Sequence, residues 1–403
     1  LLEGTGKLDF IDVMAGPGSA ALAPPSYYKP GSFVYLTEEL RKVVSLPLIC
    51  SQRINGPVMA EQILASGTAD LIAINRPIMA DPEMPNKAMS GRLDEIRGCI
   101  TCNECIGRLN AAMPLACTVN PAMGREQEME LKVSKDPKKI VVIGGGPAGL
   151  EAARVAAYRG HRVILFERGD RLGGQTLIAS RAPGREDIDE IRRYYSHQMQ
   201  LLGVDVRLRS EATSVTIKEN EPDEIIVATG SVPVETVLSS GDVQVADPRG
   251  VLSGSVEARE SDKVVVLAGE HHMQALTTAD LLADKGCDVQ ILTDALYAGA
   301  LLEANMIEMV YRRLLNKGVT ITPLSVLKLI DGRTVIIENV LTKKEATIES
   351  VDLLVAAFGG TSDNSLYHSL KDEGYQPHLI GDALSPRRLM DAILDGTRVS
   401  REI

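Results

Sequence analysis

A strand-like run, a glycine triplet and a helical run follow one another from residue 138 onward, and this order limits the possible folds more than any other feature. The apolar run KKIVVI leads into Gly144-x-Gly146-x2-Gly149, the helical pattern LEAARVAAYRG comes next, and Glu167 ends the following strand. Such a turn lets the backbone approach a pyrophosphate at a helix N-terminus, and the carboxylate can accept hydrogen bonds from ribose hydroxyls. The segment predicts a parallel α/β unit that binds a dinucleotide, with an unliganded glycine turn as the alternative.

Further residues are expected at the same pocket because they follow strands of the same unit. Arg168 and the segment RLGGQ continue the loop after Glu167, and IIVATGSVP supplies another strand with a glycine turn. The residues predicted to contact the nucleotide in and beside these segments are Pro147, Ala148, Arg168, Gly174, Gln175, Ala228, Thr229 and Gly230. We predict that residues 138–240 and 352–403 form this unit.

A second strand–helix–strand pattern begins at Lys263 and interrupts the first, which predicts a second dinucleotide-type unit over residues 241–351. Its turn, LAGEHHM, has a single glycine followed directly by Glu270. Side chains there keep the backbone away from a pyrophosphate, and a carboxylate repels one, so the turn argues against a nicotinamide dinucleotide. His271 and His272 are candidate metal ligands or, alternatively, unoccupied loop histidines.

Four of the six cysteines crowd into one short segment, Cys99-x2-Cys102-x2-Cys105, with eleven residues between Cys105 and Cys117. Closely spaced thiolates can wrap one inorganic cluster, and three ligands within seven residues suit the corners of a cubane. Four thiolates also satisfy tetrahedral zinc, which usually takes two separated pairs. The spacing favours a 4Fe-4S cluster in residues 98–125 and leaves zinc as the alternative.

Residues 1–97 alternate strand-like and helical patterns, as parallel βα units do. Three strands cannot close a barrel, so this part is predicted to be the C-terminal portion of a (β/α)8 barrel whose start lies outside the sequence. Arg53 and Arg76 follow strands, at the barrel face that commonly holds a phosphate. They suit a flavin mononucleotide phosphate or, alternatively, surface ion pairs. Tyr27 and Tyr28 lie in a Pro-rich loop where packing is the expected role.

Composition excludes several classes of function. The net charge of −11 comes without a basic stripe, which argues against nucleic acid and anionic membranes as partners. No run approaches the ~20 apolar residues of a bilayer span. The cysteine usage suits a reducing compartment, so we expect a cytoplasmic protein with a small-molecule substrate, assembled as an oligomer.

Four segments together resemble one family: the barrel end and cysteine loop from INGPVMAEQILASG to CITCNECIGR, then ACTVNP, then VVIGGGPAGLEAA, and finally IGDALSPRRLMDAILDGTRV. They are similar to the Old Yellow Enzyme branch that includes 2,4-dienoyl-CoA reductase and trimethylamine dehydrogenase. The resemblance implies FMN in the barrel, a 4Fe-4S cluster at the junction, and FAD, or ADP in its place, at the glycine turn. NAD(P)H as a further cofactor is left open.

The resemblance also assigns roles to residues. It implies that the four cysteines bind the cluster, that Arg53 and Arg76 contact the FMN phosphate, and that Gly381 and Asp382 approach the FAD phosphate and ribityl region. It identifies no catalytic residue, because the first five barrel strands lie outside this sequence. The histidine that dienoyl-CoA reductases carry after the sixth strand is absent from the segment AGPGSAALAPPSYY.

Three functions fit this resemblance. A reductase would take electrons from NAD(P)H through FAD to an enoyl or enone substrate at FMN, and this direction is preferred because it is the commoner one among relatives. An amine dehydrogenase or demethylase would oxidise its substrate and pass electrons to an electron-transfer flavoprotein; the cysteine gaps and the glycine-poor turn favour it. The third is a non-catalytic electron-transfer subunit completed by another chain.

Overall fold

The computed structural model describes residues 3–15, 23–235 and 242–403. The strands within these ranges are β1 (Ile11–Val13), β2 (Leu48–Ser51), β3 (Leu71–Ala73), β4 (Lys139–Ile143), β5 (Arg162–Phe166), β6 (Asp205–Arg207), β7 (Glu224–Val227), β8 (Ser231–Pro233), β9 (Gln244–Ala246), β10 (Lys263–Ala268), β11 (Asp288–Leu292), β12 (Thr320–Thr322), β13 (Ser325–Asp331), β14 (Thr334–Asn339), β15 (Glu345–Ile348), β16 (Leu353–Ala357), β17 (Gly360–Ser362) and β18 (His378–Leu379).

The α-helices in the same ranges are α1 (Val34–Arg41), α2 (Pro57–Ala65), α3 (Arg76–Ala80), α4 (Met84–Met89), α5 (Glu104–Asn110), α6 (Pro147–Tyr158), α7 (Thr176–Ala179), α8 (Asp189–Leu201), α9 (Ser214–Asn220), α10 (Pro248–Ser253), α11 (Gln274–Asp284), α12 (Ala304–Asn316), α13 (Ser365–Asp372) and α14 (Leu389–Glu402). In the described part of the chain, no helix is both long enough and apolar enough to cross a membrane.

The N-terminal part is a parallel sheet of three strands in the order β1-β2-β3, with α1 and α2 as crossovers. Leu48 and Cys50 on β2 are fully buried because β2 is the middle strand. This alternation is the one predicted for a barrel portion. The segment in which a barrel histidine is absent includes residues 16–22, which lie outside the described residues.

The glycine-turn unit is a five-stranded parallel sheet in the order β18-β7-β4-β5-β6. Its central strand β4 is apolar and buried from Ile140 to Ile143, as a strand covered on both faces requires. Helices α6 and α14 pack so closely that a Cβ on Gly396 would lie 2.4 Å from the Ala148 carbonyl oxygen. The C-terminal helix is therefore an integral layer of this unit.

The second unit is a five-stranded parallel sheet in the order β12-β11-β10-β16-β9, with an antiparallel meander of β13, β14 and β15 beside it. The predicted end of this unit at residue 351 is wrong by one strand, because β16 pairs with β10 from Val264↔Leu353 to Ala268↔Ala357. The run LLVAA is buried along its whole length and has strand neighbours on both sides. The chain returns to the first unit at β17, which pairs with β8.

Candidate functional site

The three glycines of the first turn differ in how closely they are packed. A Cβ on Gly144, which has a φ of +106°, would lie 2.3 Å from the Ala228 carbonyl oxygen, and one on Gly149 would lie 2.0 Å from the Gly144 carbonyl oxygen. Around Gly146 no atom lies within 4 Å of such a Cβ. Two glycines are therefore required by the turn and its packing, while Gly146 faces open space at the N-terminus of α6, where a pyrophosphate would lie.

Glu167 follows β5 and turns its carboxylate toward this turn. Gly145 N donates to Glu167 Oε2 at 2.7 Å, and Gly169 N donates to Glu167 Oε1 at 2.6 Å. These backbone bonds fix the carboxylate at the carboxyl edge of the sheet. This is the position from which an acidic residue binds ribose hydroxyls.

The opposite wall of the pocket brings together residues that are far apart in the sequence. Gln175 Nε2 donates to Asp382 Oδ2 at 3.2 Å and to Ser231 Oγ at 3.1 Å, and Ser231 Oγ donates to the same Asp382 oxygen at 3.2 Å. Arg249 Nη2 donates to Ser231 Oγ at 3.0 Å. Ser231 and Arg249 were not predicted, and Arg249 carries no local sequence signal because it reaches the site only through the fold.

The other predicted nucleotide contacts lie around the same turn. Gly381 has a φ of +63°, and a Cβ there would approach the Ala148 Cβ to 2.7 Å, so glycine is required beside α6. Gly174 lies against Gly146, since a Cβ on it would be 2.9 Å from the Gly146 Cα. The remaining predicted residues are Pro147 at the start of α6, Ala228, Thr229 and Gly230 after β7, and Arg168, whose exposed side chain lies 3.9 Å from Asp363.

The four cysteines of the loop line one cavity, together with the apolar side chains of Met79, Ile100 and Val119. Burial raises the pKa of Cys99 and of Cys117 to about 12 and that of Cys105 to about 11. These three thiols are therefore neutral in the absence of a cation, and metal binding must displace their protons. Within the described ranges, no three His, Cys, Asp or Glu side chains are grouped around a single ion position.

The two predicted phosphate-binding arginines have different partners. Arg76 borders the cysteine cavity, and its Nη1 donates to Pro24 O at 2.9 Å and to Asn103 Oδ1 at 2.5 Å. Arg53 is buried; its Nε donates to Tyr28 O at 2.6 Å, and its Nη2 pairs with Asp187 Oδ2 at 2.6 Å. Arg53 is thus a junction residue, that is, one that joins the barrel part to the nucleotide unit. Its role at an FMN phosphate stays a prediction.

A fully buried carboxylate, Glu151 on α6, joins several parts of the molecule and was not predicted. Arg154 binds it through two bonds of 2.7 and 2.8 Å, Tyr195 OH donates at 3.0 Å, Thr397 Oγ1 donates at 2.8 Å, and Arg97 Nη2 lies 3.8 Å away. Burial alone would raise the pKa of Glu151, but the Arg154 guanidinium and these hydrogen bonds hold it at about 2. The sequence contains one signal for this network: a Glu and an Arg three residues apart in an otherwise apolar helix.

The second turn is closed by its own side chains. Glu270 Oε1 accepts a 2.5 Å bond from Gln274 N at the start of α11, where a pyrophosphate would bind. A Cβ on Gly269 would lie 2.5 Å from the Phe358 ring. His271 Nε2 lies 3.4 Å from Asp294 Oδ1, beyond the end of β11, where a ribose-binding carboxylate belongs.

Of the two loop tyrosines, Tyr27 packs between units. Its ring lies against the core of the second unit, with Arg313 Cζ 5.2 Å from the ring centroid. Burial raises the pKa of Tyr27 to about 12. Tyr27 therefore has the packing role that was predicted from the sequence.

Two family models match the chain. The Pyridine nucleotide-disulphide oxidoreductase model covers residues 138–376, more than half of the chain, and the NADH:flavin oxidoreductase / NADH oxidase family model covers residues 10–95. The first match contains the second unit and the part of the glycine-turn unit up to residue 376, and the second match contains the three-stranded parallel sheet. The two matches and the glycine-turn pocket place the chain in the class of flavin-dependent oxidoreductases.

Known proteins with similar sequences or structures are also oxidoreductases. The chain is 37% identical to an NADH oxidase of Thermoanaerobacter brockii, covering 95% of this chain and 59% of that protein. It is 33% identical to an N,N-dimethylglycine/sarcosine dehydrogenase of Chromohalobacter salexigens, with coverages of 99% and 64%. A 2-naphthoyl-CoA reductase structure superimposes with a TM-score of 0.91 at 29% identity, over 98% of this chain and 60% of that one.

These matches confirm the resemblance stated from the sequence. The chain belongs to the Old Yellow Enzyme-type flavoprotein family, in which an NADH:flavin oxidoreductase barrel is joined to a pyridine nucleotide-disulphide oxidoreductase part. It spans about 60% of the length of these relatives.

Proposed function

We propose that the chain belongs to an enzyme that moves electrons between FMN in the barrel, a 4Fe-4S cluster, and FAD or ADP at the glycine turn. One observation carries the proposal: Cys99, Cys102, Cys105 and Cys117 line a single cavity, which Arg76 and Met79 of the barrel part also border. Four thiols with apolar walls are the donor set that such a cluster requires. When bound, the flavins supply hydride or electron chemistry and the cluster transfers single electrons.

In this proposal the chain's own residues hold and orient the nucleotide. The open face of Gly146 admits the pyrophosphate to the N-terminus of α6, and the carboxylate of Glu167 accepts from ribose hydroxyls. Asp382 and Gln175 form the far wall. Arg53 and Arg76 are proposed to bind the FMN phosphate. To do so, Arg53 would have to exchange its partner Asp187 for the phosphate.

The preferred direction is reduction of an activated alkene, such as an enoyl thioester or an enone, with electrons from NAD(P)H. Two comparisons support it: the similar fold of a 2-naphthoyl-CoA reductase and the sequence similarity to an NADH oxidase. Both are similarities of fold and family, which constrain the reaction type more than the substrate.

The second candidate is oxidation of a methylated amine, with electrons leaving to an electron-transfer flavoprotein or another redox subunit. The closed second turn favours it, because Glu270 stands where the phosphates of NAD(P)H would bind. The similarity to an N,N-dimethylglycine/sarcosine dehydrogenase also supports it.

Analysis of purified protein tests the proposal and separates the two directions. We expect iron and acid-labile sulfide without stoichiometric zinc, and FMN with FAD or ADP identified by mass after extraction. Flavin bleaching by NADH or NADPH without oxygen supports the reductase; bleaching by sarcosine or dimethylglycine alone supports the dehydrogenase.

Matched cysteine variants test the cluster ligands. C117S should lose the brown chromophore, whereas C287S should keep it, because Cys287 is buried in the core of the second unit. Stoichiometric zinc, or a C117S protein with unchanged iron and sulfide, would overturn the assignment.

A further inference from the structure

The side chain of Arg97 closes the cysteine loop. Arg97 lies two residues before Cys99, and its Nη1 donates a 2.6 Å hydrogen bond to the carbonyl oxygen of Val119, two residues after Cys117. Val119 itself lines the cysteine cavity. One guanidinium thereby holds the two ends of the loop together.

The same bond reaches the backbone that follows Cys117. The carbonyl oxygen that accepts from Arg97 belongs to the Val119–Asn120 peptide, two residues after Cys117, and Val119 and Cys117 line the same cavity. Because hydrogen bonds in series polarise one another, the cation makes the Asn120 N–H of this peptide a stronger donor.

Arg97 also connects this loop to the nucleotide-binding helix. Its Nη2 donates to Tyr194 OH at 3.1 Å and lies 3.8 Å from Glu151 Oε2, and its Cζ lies 4.8 Å from the Tyr194 ring centroid. Glu151 is on α6, the helix that begins at the glycine turn. The loop and the nucleotide site are therefore held in one buried network.

The charges in this network do not balance. Glu151 already forms a two-bond ion pair with Arg154, and the nearby Lys87 pairs with Asp81 at 2.7 Å. Arg97, with a side chain 11% exposed, supplies one further positive charge. Buried cations and hydrogen bonds to ligand sulfurs both stabilise the reduced form of an anionic cluster.

We propose that Arg97 is a positioning residue that raises the reduction potential of the cluster, through its charge and its bond to the Val119–Asn120 peptide, and fixes the loop against α6. The inference rests on the proposed function. It is independent of the direction of electron flow, because both directions pass through the cluster.

The test is a redox titration of purified wild-type protein and three variants, followed by visible absorbance and electron paramagnetic resonance. R97Q removes the cation and should disfavour cluster reduction about tenfold, a shift of about 59 mV to more negative potential. R97K keeps the charge and should fall between the wild type and R97Q. R193Q is the matched control, because Arg193 joins α8 to Asp94 and Ile96 but does not reach Val119.

The outcomes separate this inference from the proposed function. A cluster with the wild-type potential in R97Q, or an equal shift in R193Q, would overturn the inference alone. A wild-type protein without iron and sulfide would overturn the proposed function, and the inference with it. Unchanged iron content in R97Q together with a lowered potential is the expected result.

Discussion

Arg53 Nη2 lies 2.6 Å from Asp187 Oδ2, so a cation at the end of a barrel strand is neutralised by a carboxylate from the nucleotide unit. The Arg53 side chain is 1% exposed. The same Asp187 oxygen accepts a hydrogen bond from Thr101 Oγ1 in the cysteine loop. One carboxylate therefore joins the three parts whose relative positions determine the distances between the proposed redox centres.

Replacing Asp187 should loosen this junction. D187N leaves the buried Arg53 cation without a counter-charge, which typically costs about 3–5 kcal/mol. D189N is the matched control, because the Asp189–Arg192 pair is about 40% exposed and should contribute under about 1 kcal/mol. Denaturant unfolding of both variants measures the difference; equal midpoints would show that Asp187 is not a junction residue.

The second and third glycines of the first turn should separate binding from folding. Gly146 has an ordinary φ of −80° and open space around it, so G146A should fold normally and lose most of its FAD or ADP. G149A places a methyl group 2.0 Å from a carbonyl oxygen and should lower the melting temperature as well. Nucleotide content and thermal unfolding of each variant provide the comparison. Full nucleotide content in G146A would refute the assignment of this face.

Opening the second turn should change the response to nicotinamide nucleotides. E270G removes the carboxylate from the N-terminus of α11, and we expect at least a tenfold faster bleaching of the flavin by NADH or NADPH. E303G is the control, since Glu303 caps the N-terminus of α12 through Asn305 and Met306 rather than that of α11. The measurement is the rate of flavin bleaching by NADH or NADPH without oxygen, compared among E270G, E303G and the wild type. If E270G and the wild type bleach equally, Glu270 does not exclude the nucleotide.

Local features of the chain were predicted from the sequence, whereas contacts across the fold were not. The glycine turn is recognisable because its requirements are local: Gly144 has a positive φ, and Gly149 packs against the Gly144 carbonyl oxygen. The approach of Gly144 to Ala228 depends on the fold. Arg53 and Asp187 are separated by 134 positions, and no local pattern joins them. The run LLVAA predicts a buried strand but does not specify its sheet, which explains the misplaced boundary at residue 351.

His272 lies beside the closed turn and should make the stability depend on pH. Burial first, and then the charges of Arg185 and Arg388, lower its pKa from 6.5 to about 4. Between those values the unfolded chain binds more protons than the folded one, so stability should fall as the pH falls from 6.5 toward 4. The slope is at most about 1.4 kcal/mol per pH unit. H272Q should flatten the decline in unfolding midpoint between pH 7 and pH 5, while H368Q, which removes an exposed imidazole, serves as the control. A decline in H272Q as steep as in the wild type would assign the pH dependence to other groups.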